Sequence, residues 1–216
     1  MDVQQLRTDL SIPEPPVTFE EYLAWLDEDI VAEWVDGEIV VLALPSDQHQ
    51  RLVKFLAHLL DTYLNFRPIG EVFIAPFPMW FVAGGRERAR EPDLLYIESA
   101  HFERNRQTHL AGPADLVIEI VSSDSVSRDR GDKFVEYEAA GIREYWIVDP
   151  RRRSADFYQL GGDGTYSRWL LDAEGWYHSV VLPGLKVKEA WLWQEPLPGP
   201  LDLIRAVREM LGIEDP

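Results

Sequence analysis

Two apolar runs rich in Val and Ile, residues 115–121 and 144–148, bracket a helical stretch from Arg128 to Ala140 that stops at Gly141. Strand, helix and strand at this spacing make a βαβ unit, with parallel strands and a right-handed crossover. A parallel pair needs cover on both faces, so the chain must build a layered α/β or α+β protein around a mixed sheet.

Glu119 is the anomaly in the first run, Leu116-Val117-Ile118-Glu119-Ile120-Val121. A carboxylate in a strand buried on both faces costs several kcal/mol, to an order of magnitude, unless a cation, a metal or a proton meets it. A second carboxylate, Asp93, heads the apolar run Leu94-Leu95-Tyr96-Ile97. Two carboxylates at strand level suggest a metal site. Lys133 and Tyr137 lie one turn apart and share a helix face. If that face covers the sheet, the Lys133 ammonium approaches Glu119. Such a set suits metal-assisted phosphodiester hydrolysis: Asp93 and Glu119 hold Mg²⁺ or Mn²⁺, and Lys133 positions the nucleophile or neutralises charge. Each residue also has a plain structural role open to it. Glu119 could pair with an arginine, Asp93 could start a strand, and Lys133 could be a solvated partner of Asp129 or Glu136.

The bulk numbers narrow the class. A chain of 216 residues with 46% hydrophobic content suits one domain with a real core. The absence of cysteine excludes disulfides and thiolate-held zinc. No apolar stretch approaches the ~20 residues of a membrane span, and Met1-Asp2-Val3-Gln4-Gln5 is no signal sequence, so a cytoplasmic protein without a membrane partner is expected. A net charge of −17 argues against broad contact with nucleic acid. Residues 86–153, however, carry 12 basic and 14 acidic side chains, which leaves a phosphate-bearing substrate open.

The remaining pattern places these residues on elements. Residues 1–16 read as a loose arm. Thr18 and Glu21 form a capping box for a short helix, and Asp36-Gly37 turns a hairpin. A longer helix opens at Pro45-Ser46-Asp47, with Leu52, Phe55, Leu56, Leu59, Leu60 and Tyr63 inward and His49 on the same face. Glu71 to Val82 reads as one strand interrupted by Pro76 and Pro78, followed by a Gly-Arg-rich loop at 84–90. A polar loop with His101, Arg104, Arg106 and His109 separates the two acid-bearing strands, and Asp124 and Ser125 are expected to cap the following helix. Short strands and a final helix at about 201–212, with Ile204, Val207 and Leu211 inward, complete the chain. His49, Glu33, Glu38 and Tyr137 are secondary candidates for the site. Arg86, Arg88, Arg90 and Arg151 to Arg153 could contact phosphate. Trp146, Trp169, Trp176, Trp191 and Trp193 suit a core or an interface better than base stacking.

Taken in order, Glu33-Trp34-Val35-Asp36-Gly37-Glu38, the Ser46-to-His49 helix start, Glu91-Pro92-Asp93, residues 115–122, Gly131-Asp132-Lys133 with Tyr137, residues 141–150 and Leu182-Pro183-Gly184-Leu185 resemble the Uma2 family. The resemblance spans residues 17–190 and leaves 191–216 as an extension with a short helix. It implies the restriction-endonuclease-like, PD-(D/E)xK fold, a mixed central sheet flanked by helices with extra hairpins. It also implies a DNA endonuclease that works as a homodimer, with Asp93, Glu119 and Ile120 around Mg²⁺ or Mn²⁺ and Asp93, Glu119 and Lys133 catalytic. The chain departs from that pattern at Val121, where the superfamily carries its lysine; Lys133 could replace it from the neighbouring helix. A rival reading is a nuclease fold retained as a dimeric, non-catalytic interaction module, which Val121 and the net charge favour.

Overall fold

The structure, a computed structural model, describes residues 11–27, 30–122 and 125–214. Helix α1 (Phe19–Trp25) starts at a reciprocal cap: Thr18 Oγ accepts from the Glu21 N–H at 3.2 Å, and the Glu21 carboxylate takes the Thr18 N–H at 2.8 Å. Strands β1 (Ala32–Val35) and β2 (Glu38–Val41) form the expected hairpin, with both Asp36 and Gly37 at positive φ. Ser46 caps α2 (Asp47–Phe66), whose inner face carries Leu52, Phe55, Leu56, Leu59, Leu60 and Tyr63.

The stretch after α2 differs from the sequence expectation. Residues 71–82 do not form one strand. They supply β3 (Gly70–Ile74) and β4 (Met79–Ala83), which join different sheets. Pro76 and Pro78 fall in the connector, since neither can donate to a ladder. The expected loop at 84–90 is instead a turn at Gly84-Gly85 followed by β5 (Arg86–Arg90), paired with β4. Arg88 and Arg90 obscured the strand, because they are charged yet turn inward onto carboxylates.

Next come β6 (Leu94–Glu98), a 3₁₀ turn over Ser99–Arg104, β7 (Leu110–Ala111) and β8 (Leu116–Ile120). A π-helical turn over Arg128–Asp132 leads into α3 (Lys133–Ala140), which ends where Gly141 takes a φ of 80°. Strands β9 (Glu144–Asp149), β10 (Ser154–Leu160), β11 (Tyr166–Trp169), β12 (Trp176–His178) and β13 (Lys186–Lys188) follow. A 3₁₀ turn over Glu189–Trp193 then precedes α4 (Pro200–Leu211). Helix α4 lies against α2 through Leu203 and Val207, while Ile204, expected inward, is 40% exposed. Residues 1–10 of the expected arm lie outside the described residues, as does Asp124.

The central sheet runs β11-β10-β9-β8-β6-β3, and β8 and β9 are its parallel pair, as the βαβ spacing requires. A second sheet, β2-β1-β5-β4-β7, flanks it. Alternation along β8 decides the chemistry. Leu116, Ile118 and Ile120 enter one core with Trp146 and α2, whereas Val117 and Val121 enter the other with Tyr137 and Tyr145. Glu119 shares the parity of the second set, so it faces α3. The strand after α3 is anchored by Glu144, fully buried, which accepts from Trp146 Nε1 at 2.6 Å, Ser179 Oγ at 2.9 Å and the N–H groups of Val180 and Val181 at 2.9 and 3.0 Å. These bonds pin the 179–182 segment to β9.

Candidate active site

The end of β8, Asp93 just before β6, the first turn of α2, and the π-turn with the start of α3 enclose a cleft of about 150 Å³. Lys133 reaches down from α3 into it. Its Nζ lies 2.8 Å from Glu119 Oε1, 2.9 Å from Glu33 Oε1 and 3.5 Å from Asp129 Oδ1, all four side chains being buried. Tyr137, one turn on, donates to the same Glu119 oxygen at 2.9 Å. Asp93 is fixed from two sides: the Ile120 N–H donates to its Oδ2 at 2.7 Å, and His49 Nε2 lies 3.0 Å from its Oδ1. Arg90 Nη1 donates to Glu33 Oε2 at 2.8 Å, so Glu33 bridges a lysine and an arginine.

The buried Glu33, Glu91, Glu119 and Asp129 and the half-buried Asp93 thus crowd one region beside Lys133 and Arg90. The imbalance shows in their proton affinities. Burial raises Glu33, but Lys133 and Arg90 outweigh it and hold its carboxyl below the usual range. Burial pushes Glu119 well above the ordinary value, with Lys133 opposing and the charges of Asp129 and Asp93 adding to the rise. Asp129 is also raised by burial against the pull of Lys133. Burial acts to lower Lys133, but Glu119, Glu33 and Asp129 together raise it, so it stays an ammonium. The region therefore carries more carboxylate than fixed positive charge, and retained protons make up the difference.

Glu91 is the clearest case: burial pushes it up to about 8, although its Oε2 accepts the Ala32 N–H at 3.0 Å. The unfolded chain releases this proton near the ordinary 4.5, whereas the folded protein keeps it until about 8. The folded state binds more protons across that window, so stability is full below 4.5 and falls as pH rises towards 8. The Glu91→Gln variant is expected to be more stable than the parent at neutral pH, by on the order of 3 kcal/mol, and to lose that advantage near pH ~5. Chemical denaturation across this range checks it; parallel curves for the two proteins would overturn the assignment.

Of the sequence candidates, the fold brings together Asp93, Glu119, Lys133, His49, Glu33 and Tyr137, with Ile120 lining the same cleft. Glu38 is exposed on the hairpin and does not join them; it lies beyond the turn from Glu33, on the outer strand β2. Lys133 is not a solvated helix lysine, and Glu136 is not its partner. Glu136 binds Arg90 Nε at 2.7 Å and Arg88 Nε at 3.0 Å, which withdraws both arginines from any phosphate role. Arg86 and Arg151 to Arg153 are exposed. Val121, 1% exposed, packs in the apolar core beneath Tyr137. Trp146 is buried and Trp176 meets Trp191 edge-on, whereas Trp169 is 49% exposed.

Sequence reasoning did not place Asp129 or Glu91 at the site, and it read Arg90 as a phosphate contact where the structure has it bound to Glu33 and Glu136. The i,i+4 spacing of Asp129 and Lys133 signalled a pair, but not that the pair is buried. Elsewhere, Glu98, His101 and Asp115 form a group of ligand-type side chains near the start of β8. Arg143 Nη2 already bridges Glu98 and Asp115 at 2.5 and 2.9 Å and supplies the cation there.

A mixed sheet between helices, with carboxylates at the strand ends and a lysine among them, defines a restriction-endonuclease-like protein. The crystal structure of a putative nuclease from Anabaena variabilis ATCC 29413 matches this fold with a TM-score of 0.62, over 89% of this chain and 99% of that one, at 17% identity. Residues 19–190 match the profile of the Uma2 family, described as putative restriction endonuclease, and the chain belongs to that family. The uncharacterised protein sll1609 of Synechocystis sp. (strain PCC 6803) is 30% identical over 142 residues, which is 65% of this chain and 76% of that protein. Among the described residues no helix is long and apolar enough to cross a membrane.

Proposed function

We propose that this protein is a divalent-metal-dependent nuclease that hydrolyses phosphodiester bonds in DNA, with Asp93 and Glu119 as the metal-binding carboxylates. The observation that carries this reading is the contact of Lys133 Nζ with Glu119 Oε1 at 2.8 Å in the cleft that also takes in Asp93. The donor set fits Mg²⁺ or Mn²⁺. Both are hard cations that accept one or two carboxylates and keep sites for water and substrate phosphate, and the surplus of carboxylate is what a dication would neutralise. Ile120 lines the same cleft and would add its backbone oxygen as a further ligand. When bound, such a cation supplies charge stabilisation for a phosphoryl group and a more acidic attacking water.

The chain's own residues have separable parts in this proposal. His49 and the Ile120 N–H hold the Asp93 carboxylate in one orientation, as outer partners of metal ligands do. Tyr137 and Lys133 hold the Glu119 carboxylate, and Glu33 with Arg90 keeps Lys133 extended and charged. Lys133 then presents a fixed positive charge beside the place where negative charge develops. The proposed active form is a homodimer, to be checked by molar mass in solution.

The test is melting temperature against Mn²⁺, on the parent and Glu119→Gln together. A ligand at ~100 times its dissociation constant stabilises by about 2.7 kcal/mol, which for a domain of this size is roughly 5–10 °C. The parent is expected to show that rise and the variant to lack it. No rise in either would favour the non-catalytic interaction module, a reading supported by Lys133 already occupying Glu119 Oε1 and by the apolar Val121.

A further inference from the structure

The π-turn at the mouth of the cleft has a geometric effect that ordinary helix would not produce. In an α-helix, residues 128 and 133 would point about 140° apart, so only one could face the site. Here the Lys133 N–H bonds the Arg128 carbonyl, an i→i+5 closure that narrows the angle between such residues. As a result Arg128, Asp129 and Lys133 all line the same cleft.

Arg128 also stands apart from its neighbours electrostatically. The other partly or wholly buried arginines around the sheet meet carboxylates: Arg88 and Arg90 meet Glu136, Arg130 meets Asp156, and Arg143 meets Asp115. Arg128 has no carboxylate partner among the described residues, and its Nε, like that of Arg130, is buried without a hydrogen-bond acceptor. A buried guanidinium N–H without an acceptor needs a reason. Lys133 has no donor left to hold a substrate phosphate, because its three N–H groups face Glu119, Glu33 and Asp129.

We propose that Arg128 is the phosphate-binding residue of this cleft, its guanidinium fork taking the non-bridging oxygens of the phosphodiester beside Asp93 and Glu119. This rests on the nuclease reading and adds the residue that holds the substrate. A planar fork suits a tetrahedral phosphate bidentately, which an ammonium cannot match. The π-turn is then the device that places a substrate-binding cation and the Glu119-binding lysine on one side of a single short helix.

The test uses the full chain with a labelled DNA duplex and Ca²⁺, which holds the substrate without turnover, read by fluorescence anisotropy over a salt series. Arg128→Ala is expected to weaken binding at least ~10-fold and to reduce the slope of log affinity against log salt by about 1. Arg128→Lys is expected to keep that slope, since the charge remains, while losing part of the affinity. The Mn²⁺-induced rise in melting temperature is expected to be the same in all three proteins. Unchanged affinity and slope in Arg128→Ala would overturn the assignment, and so would loss of the Mn²⁺ response in that variant, which would mark Arg128 as a support of the fold. A parent that holds no duplex would overturn the nuclease reading itself and this inference with it.

Discussion

Lys133→Met is expected to destabilise the protein by about 3–5 kcal/mol at neutral pH, the cost of removing one partner from a buried ion pair. Methionine fills a similar volume, so the loss is electrostatic. Lys133 is the shared cation of Glu33, Glu119 and Asp129, and of these only Glu33 keeps a second cation, Arg90. The pH dependence separates this from a packing defect. In the parent, the lowered Glu33 contributes stability above its ordinary value of 4.5 and loses it only as pH falls through its depressed folded value. In the variant, burial without the ammonium raises these carboxylates, so the folded state keeps protons that the unfolded chain releases. Its stability is then fullest in mild acid and falls as pH rises. The gap between parent and variant is therefore widest near pH ~8 and narrower near pH ~5.5. Urea unfolding at both values checks it, and a constant gap would show that charge is not the cause.

Asp93→Asn is expected to abolish the Mn²⁺ response and to lower DNA cleavage at least ~100-fold, since removing a ligand should cost no less than removing a ligand's outer partner. The fold should survive. The asparagine oxygen can still accept the Ile120 N–H, and its amide can still face His49, so the two contacts that fix Asp93 at 2.7 and 3.0 Å have replacements. What disappears is the negative charge. Cleavage measured beside the melting temperature of the metal-free protein separates the two effects. An Asp93→Asn protein that melts with the parent and still cleaves would remove Asp93 from the proposed metal site.

Much of the fold was legible in the sequence, and for identifiable reasons. The capping box at Thr18, the Asp36-Gly37 turn, the helix opening at Ser46 and the βαβ unit rest on contacts between residues close in the chain. The errors arose where local chemistry misled. The arginines of β5 look like a loop until they are seen meeting Glu33, Asp36 and Glu136, which are 46–57 residues away. The two prolines after β3 marked a change of sheet, and nothing local separates that from an interruption within one strand.

The candidate site divides in the same way. Sequence alone determined that Glu119 stands in a buried strand, that Asp93 heads another, and that Lys133 and Tyr137 share a helix face, because periods of two and of 3.6 are properties of the backbone. Whether that helix face lies over the acid is a matter of packing. The tertiary structure placed Lys133 against Glu119, recruited Glu33 from a hairpin and His49 from α2, and sent Glu38 to the surface. It also buried Asp129 and Glu91, whose shifted proton affinities depend on the low polarity of a region assembled from distant segments. Periodicity carries the direction of each side chain; desolvation and charge pairing depend on what the rest of the chain brings to meet it.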